Sequence, residues 1–192
     1  MSHSTRWSRA DRVRLAVCAL AVGFAVTAGA THLRVDAPPL PAAIAALAPG
    51  LRPQGGGEMT FLGVSIYDGW YWSETHAWAP EGVHALDLHY RRNLDGASIA
   101  ERSVAEIERI GAGDASQRQR WGEAMRRIFP SVRKGDRITG VNLPPGTARF
   151  FFNGQPIGVI DDREFARAFF GIWLDPRTSR PEYRKRLLGE AP

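Results

Sequence analysis

Few side chains in this sequence stand where chemistry could use them. Ser98 lies in Gly96-Ala97-Ser98-Ile99-Ala100, which lacks the second glycine of a nucleophile elbow. With Glu101 three residues on, it reads instead as a helix-capping box. His84 and His89 are five apart in a segment that alternates as a strand does, so they are expected on opposite faces and not on one metal ion. Asp161 and Asp162 stand at a helix start, where carboxylates balance the macrodipole. Arg102, Glu106 and Arg109 fall at i, i+4 and i+7 on one helix face, with Glu101 beside them and Asp68 earlier in the chain. Their ordinary role is a solvated salt-bridge face. The glycine clusters do not sit between a strand and a helix, as a phosphate loop would. The single cysteine, Cys18, lies in the apolar N-terminal segment, so the body has no disulfide, thiolate ligand or cysteine nucleophile.

The elements that must position these residues are easier to read. The stretch 150–176, FFFNGQPIGVIDDREFARAFFGIWLDP, contains a strand at 148–152, an Asn153-Gly154 turn, a second strand at 155–160 and a helix. Asn-Gly supplies the positive φ angles of a two-residue hairpin. Asp161 with Glu164 is a second expected capping box. Phe165, Phe169, Ile172 and Trp173 form one apolar stripe on the helix, and Pro176 ends it. Earlier, Gly55–Gly57 suggests a turn before a first strand at 59–66. A segment dense in Tyr67, Trp70, Tyr71, Trp72 and Trp78 follows, then an alternating strand at 83–90. A helix runs from Ser98 to about Ile110, and another starts at Asp114 with Gln117 and carries Trp121, Met125, Ile128 and Phe129. A strand at 138–143 leads through Pro144-Pro145-Gly146 into the hairpin, and 181–188 is a short terminal helix. Strands, two helices, strands, two helices, joined by short turns, describe an α+β fold: an antiparallel sheet covered by helices on one face.

Bulk properties narrow the classes. A chain of 192 residues is enough for one well-cored domain. The net charge is +5, but residues 1–30 contribute four arginines against Asp11, so subtracting 3 leaves +2 for the rest. That rest has no clustered basic stripe, and nucleic acid is not expected as a partner. Residues 1–14 are polar and arginine-rich, and 15–30 are apolar or small, closing on Ala28-Gly29-Ala30. This pattern predicts a secretory signal peptide or an uncleaved signal anchor at 1–30. The body is then exported, periplasmic or held at the inner membrane facing the periplasm, with possible membrane association through the N-terminal segment. Residues 31–56 read as a Pro/Ala-rich tether, and 57–189 as the domain.

Four stretches carry a family resemblance: FLGVSIYDGWYW at 61–72, LDGASIAERSVAEI at 94–107, VRKGDRI at 132–138, and FNGQPIGVIDDREFARAFFGIWLDP at 152–176. Together they resemble the chalcone isomerase-like proteins, in particular an exported bacterial branch. The resemblance implies an open-faced β-sandwich, a curved antiparallel sheet layered with helices. Its cleft holds a flavonoid in the enzymes of the family and a fatty acid in non-catalytic members. The catalytic threonine, tyrosine and asparagine of the enzymes fall here on Asp68, Ile99 and Glu106, and their arginine has no clear counterpart in 55–60. Isoleucine donates no hydrogen bond, and added carboxylates repel a phenolate. The expectation is a non-catalytic protein that binds a small apolar or amphipathic ligand through Tyr67, Asp68, Trp72, Ile99, Arg102 and Glu106, without cofactor or metal. The alternative is an isomerase or lyase with a different acid–base set, Asp68, Glu106 and Tyr67. A third option is a partner-binding role at a membrane surface through an exposed patch of Trp70, Tyr71 and Trp78.

Overall fold

The computed structural model describes residues 36–190. The expected signal at 1–30 and Cys18 lie outside the described residues. Within them, one six-stranded sheet holds its strands in chain order: β1 (Arg52–Phe61), β2 (Val64–Ser73), β3 (His84–Tyr90), β4 (Arg137–Leu143), β5 (Thr147–Phe152) and β6 (Gln155–Asp161). Every neighbouring pair is antiparallel. The α+β reading therefore holds.

One register row explains the core. Tyr71, Leu86, Gly140 and Phe150 stand opposite one another on β2 to β5 and share a face. On that face lie α2 (Gly96–Arg109), α3 (Ala115–Ile128), α4 (Arg163–Leu174) and α5 (Pro181–Leu187). α4 is buried nearly all round: Phe165 and Leu174 are 0 % exposed and Phe170 1 %. Phe169 meets Phe150 edge-on at 5.1 Å and Trp173 at 5.5 Å. Each such ring contributes about 1.5–3 kcal/mol of burial, so this helix anchors the fold.

The Asn153-Gly154 turn has φ of 48° and 82°, as a two-residue hairpin demands. The Asp114–Gln117 capping box forms in both directions, each bond 2.8 Å.

Several expectations are corrected. No strand spans 59–66; that stretch straddles a hairpin turn at Leu62-Gly63, where φ is 48° and 77°. The sequence hid the turn by using leucine where Asn or Asp is usual. Gly55 is not a turn but lies within β1, where a Cβ would overlap the Arg186 carbonyl of α5. Gly69 faces α5 likewise, its missing Cβ leaving room for the Tyr183 hydroxyl. The supposed tether contains α1 (Ala42–Leu47) and the start of β1. α1 packs Ile44, 0 % exposed, on the opposite sheet face against Trp72, Ala85, Val141 and Phe151. The caps shift too: Asp95, not Ser98, caps α2 by accepting from the Ser98 amide at 2.9 Å. Asp162, not Asp161, caps α4 by accepting from the Phe165 amide at 3.0 Å, and Asp161 ends β6, bound by the Thr147 hydroxyl at 2.6 Å.

Candidate functional site

Alternation along β2 to β4 sends Tyr67, Leu88, Tyr90 and Ile138 to the helix-covered face. Toward the Leu62-Gly63 end of the sheet, α2 and α4 do not close completely over these residues. A cavity of about 300 Å³ remains. Ile99 from α2 and Phe169, Ile172 and Trp173 from α4 form its roof. Met59 and Phe61 of β1 wall one side. The wall is predominantly hydrocarbon and aromatic, the composition of a site for an apolar group, at the small end of the ~300–1,000 Å³ usual for small-molecule sites.

The polar groups collect at one place. Ile99, Arg102, Ser103 and Glu106 recur at three- and four-residue spacing, so α2 turns all of them to the cavity. Ser103 is spent locally, donating to the Ile99 carbonyl at 2.9 Å. Glu106 is only 6 % exposed; Arg102 Nη2 lies 2.5 Å from its Oε1 and Arg109 Nε 3.6 Å from Oε2. This charge set is therefore not the solvated face its spacing suggested: its acid is buried at the cavity wall. Arg180, just ahead of α5, is different. Among the described residues it enters no ion pair, and its guanidinium lies over the Phe61 ring at 5.3 Å, with that of Arg102 at 5.4 Å.

Tyr67 is the floor hydroxyl tied to the roof. It accepts from Trp173 Nε1–H at 2.8 Å, which leaves its own proton to donate. Burial pushes its pKa up to about 12, so it stays a neutral donor. Tyr90 and Tyr183 flank it edge-on at 5.9 and 6.3 Å.

Of the residues singled out in the sequence, Tyr67, Ile99, Arg102 and Glu106 line this cavity. Asp68 and Trp72 do not. Asp68 follows Tyr67 on a strand and so faces the other way, in a two-bond pair with Arg91 at 2.7 and 3.0 Å. The acid–base set of Asp68, Glu106 and Tyr67 is not assembled. Trp72 is five residues from Tyr67, an odd step, and is buried against α1 on the far face. The exposed patch of Trp70, Tyr71 and Trp78 does not exist either: Tyr71 is 0 % exposed, Trp70 stacks edge-on to His89 at 4.8 Å, and Trp78 is half-buried. Phe169 and Trp173, expected as core first and ligand wall second, are core and cavity wall at once. Phe61 and Arg180 carried no local signal, because only folding brings the β1 end and the loop before α5 together.

His84 and His89 do point to opposite faces. His89 shares the far-face carboxylate of Asp87 with Arg137 and Thr139, at 3.1 Å from His89 and 2.6–2.8 Å from the others. Burial raises the Asp87 pKa, but His89 and Arg137 outweigh it and hold the carboxyl below its ordinary value. That network is fully satisfied and faces no cavity, which fits a structural role. Among the described residues no three His, Cys, Asp or Glu side chains come close enough to hold a metal ion, and no helix is long and apolar enough to cross a membrane.

Comparison with known proteins adds three findings. The model of a family described as chalcone isomerase-like matches residues 69–189. An uncharacterized protein of Haemophilus influenzae is 28 % identical over 140 residues, covering 72 % of this chain and 68 % of that protein. In three dimensions the chain is similar to a fatty-acid binding protein of Arabidopsis thaliana, with a TM-score of 0.55 over 73 % of this chain and 87 % of the other. At 12 % identity that likeness is one of fold.

Proposed function

The chain belongs to the chalcone isomerase-like family, and from that premise we propose that it is a non-catalytic carrier of a small single-tailed amphiphile with an anionic head, a fatty acid being the simplest. The observation that carries the reading is an apolar cavity with Arg180, free of any ion pair among the described residues, at its rim. A hydrocarbon tail gains by burial against Ile99, Phe169 and Ile172. A carboxylate gains a charge-assisted hydrogen bond from Arg180, and Arg102, half-neutralised by Glu106, contributes less. Tyr67 supplies a neutral donor deeper in. The fatty-acid binding title of the Arabidopsis structure supports the same choice of ligand. An isomerase working through Asp68 and Glu106 would need both carboxyls on one substrate, and Asp68 is turned away to Arg91.

Residues 1–30 support export as part of this proposal: a basic stretch, an apolar run and an Ala28-Gly29-Ala30 end. A reporter active only outside the cytoplasm, fused after residue 36, should be active in the native host.

Native mass spectrometry of the protein purified from its own host tests the carrier reading. A retained mass in the fatty-acid range, exchangeable for added palmitate, is expected. A clean apo mass that takes up neither palmitate nor a shorter fatty acid would sink it.

A further inference from the structure

The β1–β2 hairpin ends in four residues, Phe61-Leu62-Gly63-Val64, whose large side chains stay exposed to solvent to very different degrees. Leu62 is 87 % exposed, Val64 45 % and Phe61 42 %. Leu62 also holds φ at 48°, the value that Asn153 holds in the other tight hairpin. A branched side chain in that region is strained, and here no folded-state contact offsets the strain. This tip is also the edge of the cavity: Phe61 is both cavity wall and the ring beneath Arg102 and Arg180.

Basic residues surround the same end of the sheet. The Arg91 amide bonds the Ile66 carbonyl at 2.9 Å, and the Gly135 amide the Tyr90 carbonyl at 2.8 Å. The turn with Arg92 therefore abuts the base of the hairpin, and the turn with Lys134 lies beside it at the end of β3. The acids here are largely engaged: Glu58 and Asp68 with Arg91, Asp95 capping α2, and Asp136 accepting from the Arg133 amide and Asn153. Arg92 and Lys134 are exposed and enter no ion pair among the described residues.

We propose that this hairpin tip is a bilayer-insertion element that seats the cavity mouth on an anionic lipid surface, so that the ligand enters and leaves through the headgroup layer. Leu62, Phe61 and Val64 enter the acyl boundary, while Arg92 and Lys134 meet lipid phosphates. Three side chains on a two-residue turn are too small for a stable protein interface of about 800 Å² per partner, whereas a bilayer needs no complementary surface. The delivery role rests on the carrier reading above; the insertion itself does not.

The full chain carries an apolar segment at 15–30, so the test must read the hairpin locally. Two single-cysteine chains, Cys18→Ser with Leu62→Cys and Cys18→Ser with exposed Gln119→Cys on α3, carry an environment-sensitive fluorophore. Each is mixed with vesicles of phosphatidylglycerol and phosphatidylcholine that contain nitroxide-labelled lipid. The label at 62 is expected to shift to the blue and be quenched, and the label at 119 to do neither. Arg92→Gln with Lys134→Gln should raise the lipid needed for quenching on the order of tenfold. A label at 62 that stays water-like, or matches 119, overturns the proposal. Uptake of a fluorescent fatty acid from free solution is measured separately on the unlabelled chain and on Leu62→Asp. Equal uptake with vesicle-to-protein transfer slowed about tenfold in Leu62→Asp supports portal delivery. Transfer at the native rate overturns delivery. No uptake from solution by either chain sinks the carrier reading alone, while the quenching result still decides insertion.

Discussion

The indole N–H of Trp173 donates to the Tyr67 hydroxyl at 2.8 Å, tying the most buried helix to the second strand at the cavity floor. The residue that anchors the scaffold thus also fixes a polar group of the site. Trp173 is 9 % exposed, so truncation to Ala is expected to cost roughly 3–5 kcal/mol and to abolish ligand uptake with it. Tyr67→Phe keeps the ring but orphans the indole N–H and should cost about 1–3 kcal/mol. Urea unfolding of the two variants measures both; a neutral Tyr67→Phe would show that the bond contributes nothing.

Trp72 should behave in the opposite way to what its neighbourhood in sequence suggests. It packs with Ile44, Ala85, Val141 and Phe151, away from the cavity. Trp72→Ala should cost roughly 3–5 kcal/mol in unfolding free energy while the folded fraction binds palmitate as the native protein does. Weakened binding at unchanged stability would return Trp72 to the site.

Arg180 should set the preference for an anionic head. Arg180→Gln is expected to weaken a fatty acid by about tenfold to a hundredfold, the value of one charge-assisted hydrogen bond, and to leave the matching fatty alcohol unchanged. Calorimetric titration with both ligands measures the difference. Equal losses for acid and alcohol would mean that Arg180 acts by packing.

His84 gives the fold an acid limit. It is 1 % exposed against Phe170 at 4.7 Å, and burial pushes its pKa down to about 4. Between that value and the ordinary 6.5 the unfolded chain binds the extra proton, so stability rises with pH across this window. It is full above about pH 6.5 and falls by on the order of 3 kcal/mol as pH drops to about 4. His84→Phe should flatten that part of a stability–pH curve. An unchanged slope would place the proton uptake elsewhere.

The cap of α4 belongs to Asp162, which also accepts from Trp121 Nε1–H at 2.9 Å. Asp162→Ala loses a cap and orphans a buried indole, a cost of roughly 2–4 kcal/mol. Asp161→Ala, at a partly exposed pair with Thr147, should stay within about 1 kcal/mol. Thermal melts that reverse this order would return the cap to Asp161.

What the sequence determined by itself was whatever local periodicity and turn chemistry encode. The stripe Phe165, Phe169, Ile172, Trp173 and the Asn153-Gly154 turn define the hairpin and the helix over it, because side-chain direction repeats every 3.6 or 2 residues. The same counting could have separated Tyr67 from Trp72 and Asp68, since odd steps on a strand change face. A dense run of aromatics and a family correspondence drew the three together instead. Other features had no local trace. Leu62 hid a turn because it occupies a backbone region that leucine rarely adopts. Gly55 marks the close approach of α5, not a turn. Ile44 is core only because Trp72, Ala85, Val141 and Phe151 arrive beneath it from four separate strands. The cavity itself is what remains where α2 and α4 fail to meet over the sheet, and its rim joins Phe61, Arg102 and Arg180 from three distant segments. A void is a property of packing among elements, so only the tertiary structure could decide it.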